Sequence, residues 1–246
     1  MKQLIRSTLL TLGVSGALAA GAHGVTWGYQ GKTGPEYWGK LDPKFAMCSQ
    51  GKNQSPVDIT RTVRAELTPL KTEYDSKATE VLNNGHTIKV NFAKGSTLKI
   101  DGKSFELLQY HFHTPSENMI DGKLYPMEAH LVHRSKDGEL TVVSVMFIEG
   151  KTHADLAKIL ERFPKDKGEK YAMTGMDLRA ETLLPKIRNY YRFNGSLTTP
   201  PCSEGVQWFV MSQPVEMSSE QIKAFEKVMG KNNRPVQPIN ARLILR

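Results

Sequence analysis

From residue 87 onward the chain alternates short apolar and polar runs with turn dipeptides. Thr87 to Phe92, Thr97 to Ile100, Phe105 to Phe112, Leu124 to His133, Leu140 to Ile148 and Val206 to Val210 read as strands. Asp101-Gly102, Asp121-Gly122 and Asp137-Gly138 punctuate them, and Asp-Gly between alternating runs favours tight hairpins, so the sheet is expected to be mostly antiparallel. Helical spacing is confined to Ala154 to Arg162 and Ser219 to Met229; Ser218 and Gln221 make a capping box for the second, and Gly230 stops it. Both helices are expected outside the sheet. Residues 164 to 185 are polar with scattered apolar positions and read as a long, irregular surface connection. No repeat or Ser/Gly linker divides the chain. The pattern predicts a mainly β, single-domain protein: one large, mostly antiparallel twisted β-sheet with a few peripheral helices.

Candidate chemistry is concentrated on two of these strands, in Gln109-Tyr110-His111-Phe112-His113 and Glu128-Ala129-His130-Leu131-Val132-His133. Side chains alternate faces along a strand, so His111 and His113 share one face while Tyr110 and Phe112 enter the opposite, apolar one. A two-residue loop at Asp121-Gly122 pairs Ile120 with Lys123 and sets His113 opposite His130. Pro115 can interrupt that ladder, which makes the shared face firmer than the register. The same parity turns His133 away and excludes it as a ligand. Three neutral nitrogen ligands suit zinc and leave a fourth position for water, the mark of a catalytic site. Gln109 and Glu128 each precede a histidine by two residues, where an oxygen can accept the second imidazole N–H. Two other readings stay open on these residues. A cupin barrel also joins His-x-His, a Glu such as Glu117 and a later His around iron or manganese, although no second glycine-flanked motif is present. A non-catalytic metal carrier needs the ligands without a substrate wall.

Length and composition set the context. At 246 residues, with 39% hydrophobic and 24% charged, the chain can bury a core without metal or crosslinks. Met1 to Ala19 has the form of a secretory signal peptide, with Lys2 and Arg6, an apolar run from Leu9 to Val14, and Ala17-Leu18-Ala19 for cleavage. The apolar run falls short of the roughly 20 residues that span a bilayer, so residues 20–246 are expected to be periplasmic or secreted with no membrane span. Removing the leader takes away Lys2 and Arg6 and no acidic residue, so the net charge falls from +8 to +6. The bases are scattered, which argues against a nucleic-acid surface. Cys48 and Cys202 are the two cysteines, and export makes a disulfide between them the leading expectation. A thiolate nucleophile or a zinc ligand would want a nearby second cysteine or base that neither has.

The whole chain beyond the leader resembles an alpha-class carbonic anhydrase of bacterial type. The matching runs are Trp27-Gly28-Tyr29, Gly34-Pro35-Glu36-Tyr37-Trp38, Asn53 to Ile59, Asn83-Asn84-Gly85-His86, the two histidine runs, Ser196 to Cys202, and Asn233 to Pro238. The resemblance implies a Zn²⁺ ion on His111, His113 and His130, second-sphere partners in Gln109 and Glu128, a Thr198–Glu117 gatekeeper pair, and His86 as proton shuttle. It also implies a carbon dioxide wall of Val132, Val142, Leu197, Val206 and Trp208, with Thr199 beside the substrate and Tyr29 and Asn84 ordering pocket water. The family's cysteine pair falls on Cys48 and Cys202. Zinc lowers the pKa of bound water to about 7, an effect for which carbonic anhydrase is itself the standard example. The implied activity is reversible hydration of carbon dioxide to bicarbonate, with sulfonamides and small anions as inhibitors at the zinc and a homodimer open as the assembly. Two positions depart from the family: Asn118 stands where it usually has His and Phe193 where it usually has Tyr. Together they suggest an internal hydrogen-bond network near Glu128 rebuilt with fewer polar groups.

Overall fold

A computed structural model of the protein describes residues 25–246; the signal-peptide segment and His23 lie outside the described residues. Fifteen strands occur among these residues. In chain order they are β1 (Asp58–Ile59), β2 (Thr62–Val63), β3 (Lys71–Tyr74), β4 (Ala78–Asn83), β5 (Ile88–Phe92), β6 (Ser96–Ile100), β7 (Lys103–His113) and β8 (Met119–Ile120). There follow β9 (Met127–Ser135), β10 (Leu140–Glu149), β11 (Lys170–Ala172), β12 (Tyr190–Ser196), β13 (Glu204–Met211), β14 (Val215–Met217) and β15 (Ile244–Leu245). The helices are α1 (Trp38–Leu41), α2 (Met47–Gln50), α3 (Ala154–Glu161) and α4 (Ser219–Met229). No helix among the described residues is long and apolar enough to cross a membrane.

Thirteen strands form one sheet in the order β11-β4-β5-β7-β9-β10-β13-β12-β15-β2, with β6 also on β7, β3 on β6, and β14 on β10. Most pairs are antiparallel; β10 with β13, β10 with β14, and β15 with β2 are parallel. The alternation read from the sequence holds along the central strands. On one face Tyr110, Phe112, Leu131, Val143, Val145 and Phe209 are buried in the main core, where α4 packs Phe225 edge-on against Phe112, with ring centroids 4.8 Å apart. The capping box of α4 is present as expected: Gln221 N–H donates to Ser218 Oγ, and Ser218 N–H donates to Gln221 Oε1. His153 caps α3, its Nδ1 accepting from Leu156 N–H.

Two expectations need correction. Residues 164–185 are not merely a surface connection: β11 extends the sheet edge along β4, and Met173, Leu178, Ala180 and Leu183 are buried in the main core. The backbone there is irregular, so its inward positions carry no period for a sequence reading to find. The predicted register is also two residues out. Ile120 does bridge Lys123, but His111 lies opposite His130, and His113 opposite Glu128. The chain leaves β7 after His113 and loops through Thr114 to Asn118 before rejoining, so the hairpin register does not propagate into the longer ladder. A shift of two preserves every side chain's face.

His133 confirms the parity from the other side. It is buried with the core, and its Nε2 hydrogen-bonds with the Tyr74 hydroxyl at 2.6 Å. Burial holds its pKa down to about 3, against weaker raising contacts with the backbone of Thr141 and Leu131. The unfolded chain, with a histidine pKa of about 6.5, therefore takes up a proton that the folded one refuses. Folding stability should fall as pH drops from the unfolded value toward the folded one, with a slope approaching about 1.4 kcal/mol per pH unit from this residue. His133→Gln keeps a partner for Tyr74 and cannot titrate, so denaturant titrations between about pH 6 and pH 4 should show a slope shallower by about one proton. An unchanged slope would mean that His133 is not held neutral.

Candidate metal centre

On the other face of the sheet, β7 presents Gln109, His111 and His113, and β9 presents Glu128, His130 and Val132. One ligand atom from each of His111, His113 and His130 lies within 4.8 Å of the others. The remaining nitrogen of each ring is committed. His111 Nδ1–H donates to Gln109 Oε1 at 2.9 Å, His113 Nδ1–H to the Asn232 carbonyl at 2.8 Å, and His130 Nε2–H to Glu128 Oε1 at 2.9 Å. Each partner oxygen is an acceptor, which fixes the tautomers and leaves His111 Nε2, His113 Nε2 and His130 Nδ1 as bases facing one another. Burial, joined by the neighbouring imidazoles, holds the His111 pKa well below its usual value, and burial lowers that of His113. Unprotonated rings are the form a metal needs. His113 Nε2, fully buried, has no hydrogen-bond partner among the described residues. Three converging ring nitrogens, one of them an orphan, fit a divalent metal better than a hydrogen-bonded core.

Glu128 anchors this arrangement. Oε2 accepts from the Glu117 and Asn118 N–H groups at 2.7 and 2.9 Å, and Oε1 from Asn118 Nδ2, Ser144 Oγ and His130 Nε2 at 2.7, 2.5 and 2.9 Å. Burial pushes its pKa up, but His130, Ser144 and Asn118 outweigh that and hold it at about 2. Asn118 replaces an imidazole without leaving a gap, since its amide donates to Glu128 while its Oδ1 accepts from Val57 N–H at 3.0 Å. Phe193 is stacked parallel to Trp208, with centroids 6.0 Å apart, so the missing hydroxyl is answered by packing.

Glu117 lies beyond the end of β7, in the loop that follows His113. It is fully buried, with Oε2 at 3.5 Å from His113 Nε2 and 3.9 Å from His130 Nδ1. Its Oε1 accepts from Arg234 N–H at 2.8 Å. Burial raises its pKa to about 7, against the pull of His130, the Arg234 amide and the Thr198 hydroxyl; a cation on the triad would act in the lowering direction. Thr198 and Thr199 lie in the loop between β12 and β13, closed by Leu197 N–H to Ser203 O and Cys202 N–H to Thr199 O at 3.0 and 2.9 Å. Cys202 is disulfide-bonded to Cys48 across 154 residues.

The five wall positions form one cluster. Val142, Val206 and Trp208 are buried in it, and Val132 and Leu197 pack against them. Val132 sits opposite Val142, and Val142 opposite Trp208, while the Trp208 ring meets His130 edge-on at 4.9 Å. The apolar cluster thus begins beside His130. His86 rides a turn in which Asn84 Oδ1 accepts from the His86 and Thr87 N–H groups at 2.8 and 2.9 Å, so this oxygen of Asn84 serves the turn. The half-buried His86 ring is stacked on Trp27, centroids 3.8 Å apart and planes at 5°, with Tyr29 edge-on at 6.5 Å. Burial, then the Lys167 charge, lowers its pKa. Burial, then the Glu117 carboxylate, pushes the Tyr29 phenol well up.

Sequence reasoning missed Asn232, Arg234 and Ser144. The Arg234 guanidinium is buried against Gln54 Oε1, Ser55 O and Cys48 O at 2.9, 2.8 and 2.8 Å, which places its amide under Glu117. These groups come from remote segments and carry no local pattern.

A large mixed sheet with three converging imidazoles on one face, carboxylate and amide partners behind them and an apolar cluster beside them defines a trihistidine metalloenzyme of the hydratase kind. The model of the eukaryotic-type carbonic anhydrase family matches residues 33–246, and the chain belongs to the alpha carbonic anhydrase family, an enzyme family. It is 47% identical over 230 residues to a carbonic anhydrase of Pectobacterium atrosepticum, covering 92% of this chain and 93% of the relative. It is 45% identical over 248 residues to one of Neisseria gonorrhoeae, covering 99% and 98%. An alpha-carbonic anhydrase of Thermovibrio ammonificans, solved with the inhibitor sulfanilamide, superposes with a TM-score of 0.89 at 52% identity over 91% of this chain and 100% of that one. The cupin alternative falls with these matches.

Proposed function

We propose that the chain is a periplasmic or secreted zinc enzyme that interconverts carbon dioxide and bicarbonate, with His111, His113 and His130 as ligands. The observation that carries it is the triad, whose free nitrogens converge while each second nitrogen is held by a fixed acceptor. A zinc ion held there supplies the Lewis acidity that makes a water molecule ionisable near neutral pH. The residues around it do the rest. Glu117, as a carboxylate, accepts a hydrogen bond from the Thr198 hydroxyl, so the Thr198 oxygen has its own proton committed and faces the cleft as an acceptor that orients the attacking group. Val132, Val142, Leu197, Val206 and Trp208 offer an apolar surface on which carbon dioxide loses no hydrogen bond by leaving water. Thr199 lies beside it, and His86 passes the released proton outward with help from water ordered by Tyr29 and Asn84. The likeness to the sulfanilamide-bound relative supports sulfonamide inhibition here.

Metal content and carbon dioxide hydration measured on one purified sample test the reading. One zinc per chain is expected, with activity lost to a chelator and restored by zinc. Iron or manganese with oxygen consumption, or zinc without hydration, would refute it.

A further inference from the structure

Asn232 follows α4 in sequence and is fully buried. Its carbonyl accepts the His113 Nδ1–H at 2.8 Å. Its side chain does three other things: Oδ1 accepts from Thr114 N–H at 2.7 Å, and Nδ2 donates to both the His86 and Phe112 carbonyls at 2.9 Å. One amide therefore joins the end of the ligand strand to the backbone of the turn that carries His86. Thr87 supports the same junction, its hydroxyl donating to Phe112 O at 2.6 Å.

We propose that Asn232 is a positioning residue for proton relay, holding the His86 turn at a fixed distance from the metal-ligand strand through the donor half of its side chain. The inference rests on the relay role given to His86 above. Asn84 and Gly85 are exposed at the tip of that turn, and an exposed turn drifts unless something buried holds it. Proton transfer needs donor and acceptor in register within tenths of an ångström, directly or through water, so a small drift is costly. The side chain is also separable from the ligand contact, because every substitution at residue 232 keeps the carbonyl that His113 uses.

The test is a double-substitution cycle of Asn232→Ala with His86→Ala. Asn232→Ala is expected to lower kcat in dilute buffer by about fivefold, the effect of losing a typical hydrogen bond, and to leave kcat/KM for carbon dioxide within about twofold of the unsubstituted protein. In the His86→Ala background it should lower kcat no further. Zinc retained against a chelator should be unchanged, and amide hydrogen exchange at His86 and Thr87 should be faster. Asn232→Asp, which keeps the acceptor for Thr114 and loses the amide donor, should behave alike and carries the test if the alanine variant does not fold. A lowered kcat in His86→Ala with normal kcat and normal exchange in both Asn232 variants would overturn the tether alone. Equal losses in both His86 backgrounds, or a matching fall in zinc retention, would make Asn232 a support for His113 and overturn it too. A normal kcat in His86→Ala would overturn the relay itself, and the tether with it.

Discussion

His113→Ala should release the metal and abolish carbon dioxide hydration. Structural zinc in small peptides binds with roughly 10–16 kcal/mol, and taking that as the scale for three protein ligands puts the loss of one at about 3 kcal/mol or more, at least about a hundredfold in affinity. The substitution also strands the Asn232 carbonyl, which now accepts from His113 Nδ1, in a buried site without its donor. Gln109→Ala gives the scale, because it removes only the acceptor for His111 Nδ1 and such partners are worth about 10- to 100-fold. The measurement is metal content after dialysis against a chelator, read beside hydration activity. His133→Gln, on the opposite face, should retain its metal. Full retention in His113→Ala, or loss in the His133 variant, would break the assignment.

His86→Ala is expected to lower kcat by about 10- to 100-fold in dilute buffer while kcat/KM for carbon dioxide changes less than about twofold. With a donor pKa of about 7 and recombination limited to roughly 10¹⁰ M⁻¹s⁻¹, release of the proton directly to water is capped near 10³ per second, against about 10⁶ per second for the fastest enzymes of this kind. Something must accept the proton. The His86 pKa is lowered by burial and Lys167, so the ring is neutral and able to accept at pH 7. The Trp27 stack, centroids 3.8 Å apart, holds it in one place. Added imidazole should restore much of the loss. An equal fall in kcat/KM would mean that His86 shapes the substrate pocket, and no fall in kcat would remove it from the mechanism.

The parts legible in the sequence were those with local periodicity. His111 and His113 two residues apart, with Tyr110 and Phe112 between them, announce a strand with one polar and one apolar face, and that face survived a register error because strand parity tolerates a slip of two. Asp121-Gly122 was read correctly as a turn, yet it spoke only for Ile120 and Lys123. Glu117 could not be placed by strand parity at all, because β7 ends at His113 and the loop that carries Glu117 wraps around Glu128, a contact that only the fold supplies. Asn232 and Arg234 were invisible for the same reason: an amide and a guanidinium read as surface groups until the fold supplies their buried partners. The resemblance, by contrast, named five apolar positions from motifs, and the structure assembles all five in one cluster.

The three imidazoles belong to a short stretch of chain, residues 111 to 130, whereas Thr198, Trp208 and Asn232 enter from far along it. A protease cut in the exposed stretch around Lys165 and Lys167 would leave the three imidazoles with Val132 and Val142 on one fragment and put the loop of Thr198, Trp208 and Asn232 on the other. The Cys48–Cys202 crosslink spans that cut, so the nicked protein stays one covalent molecule with both halves of the site still attached, and only reduction frees them to part.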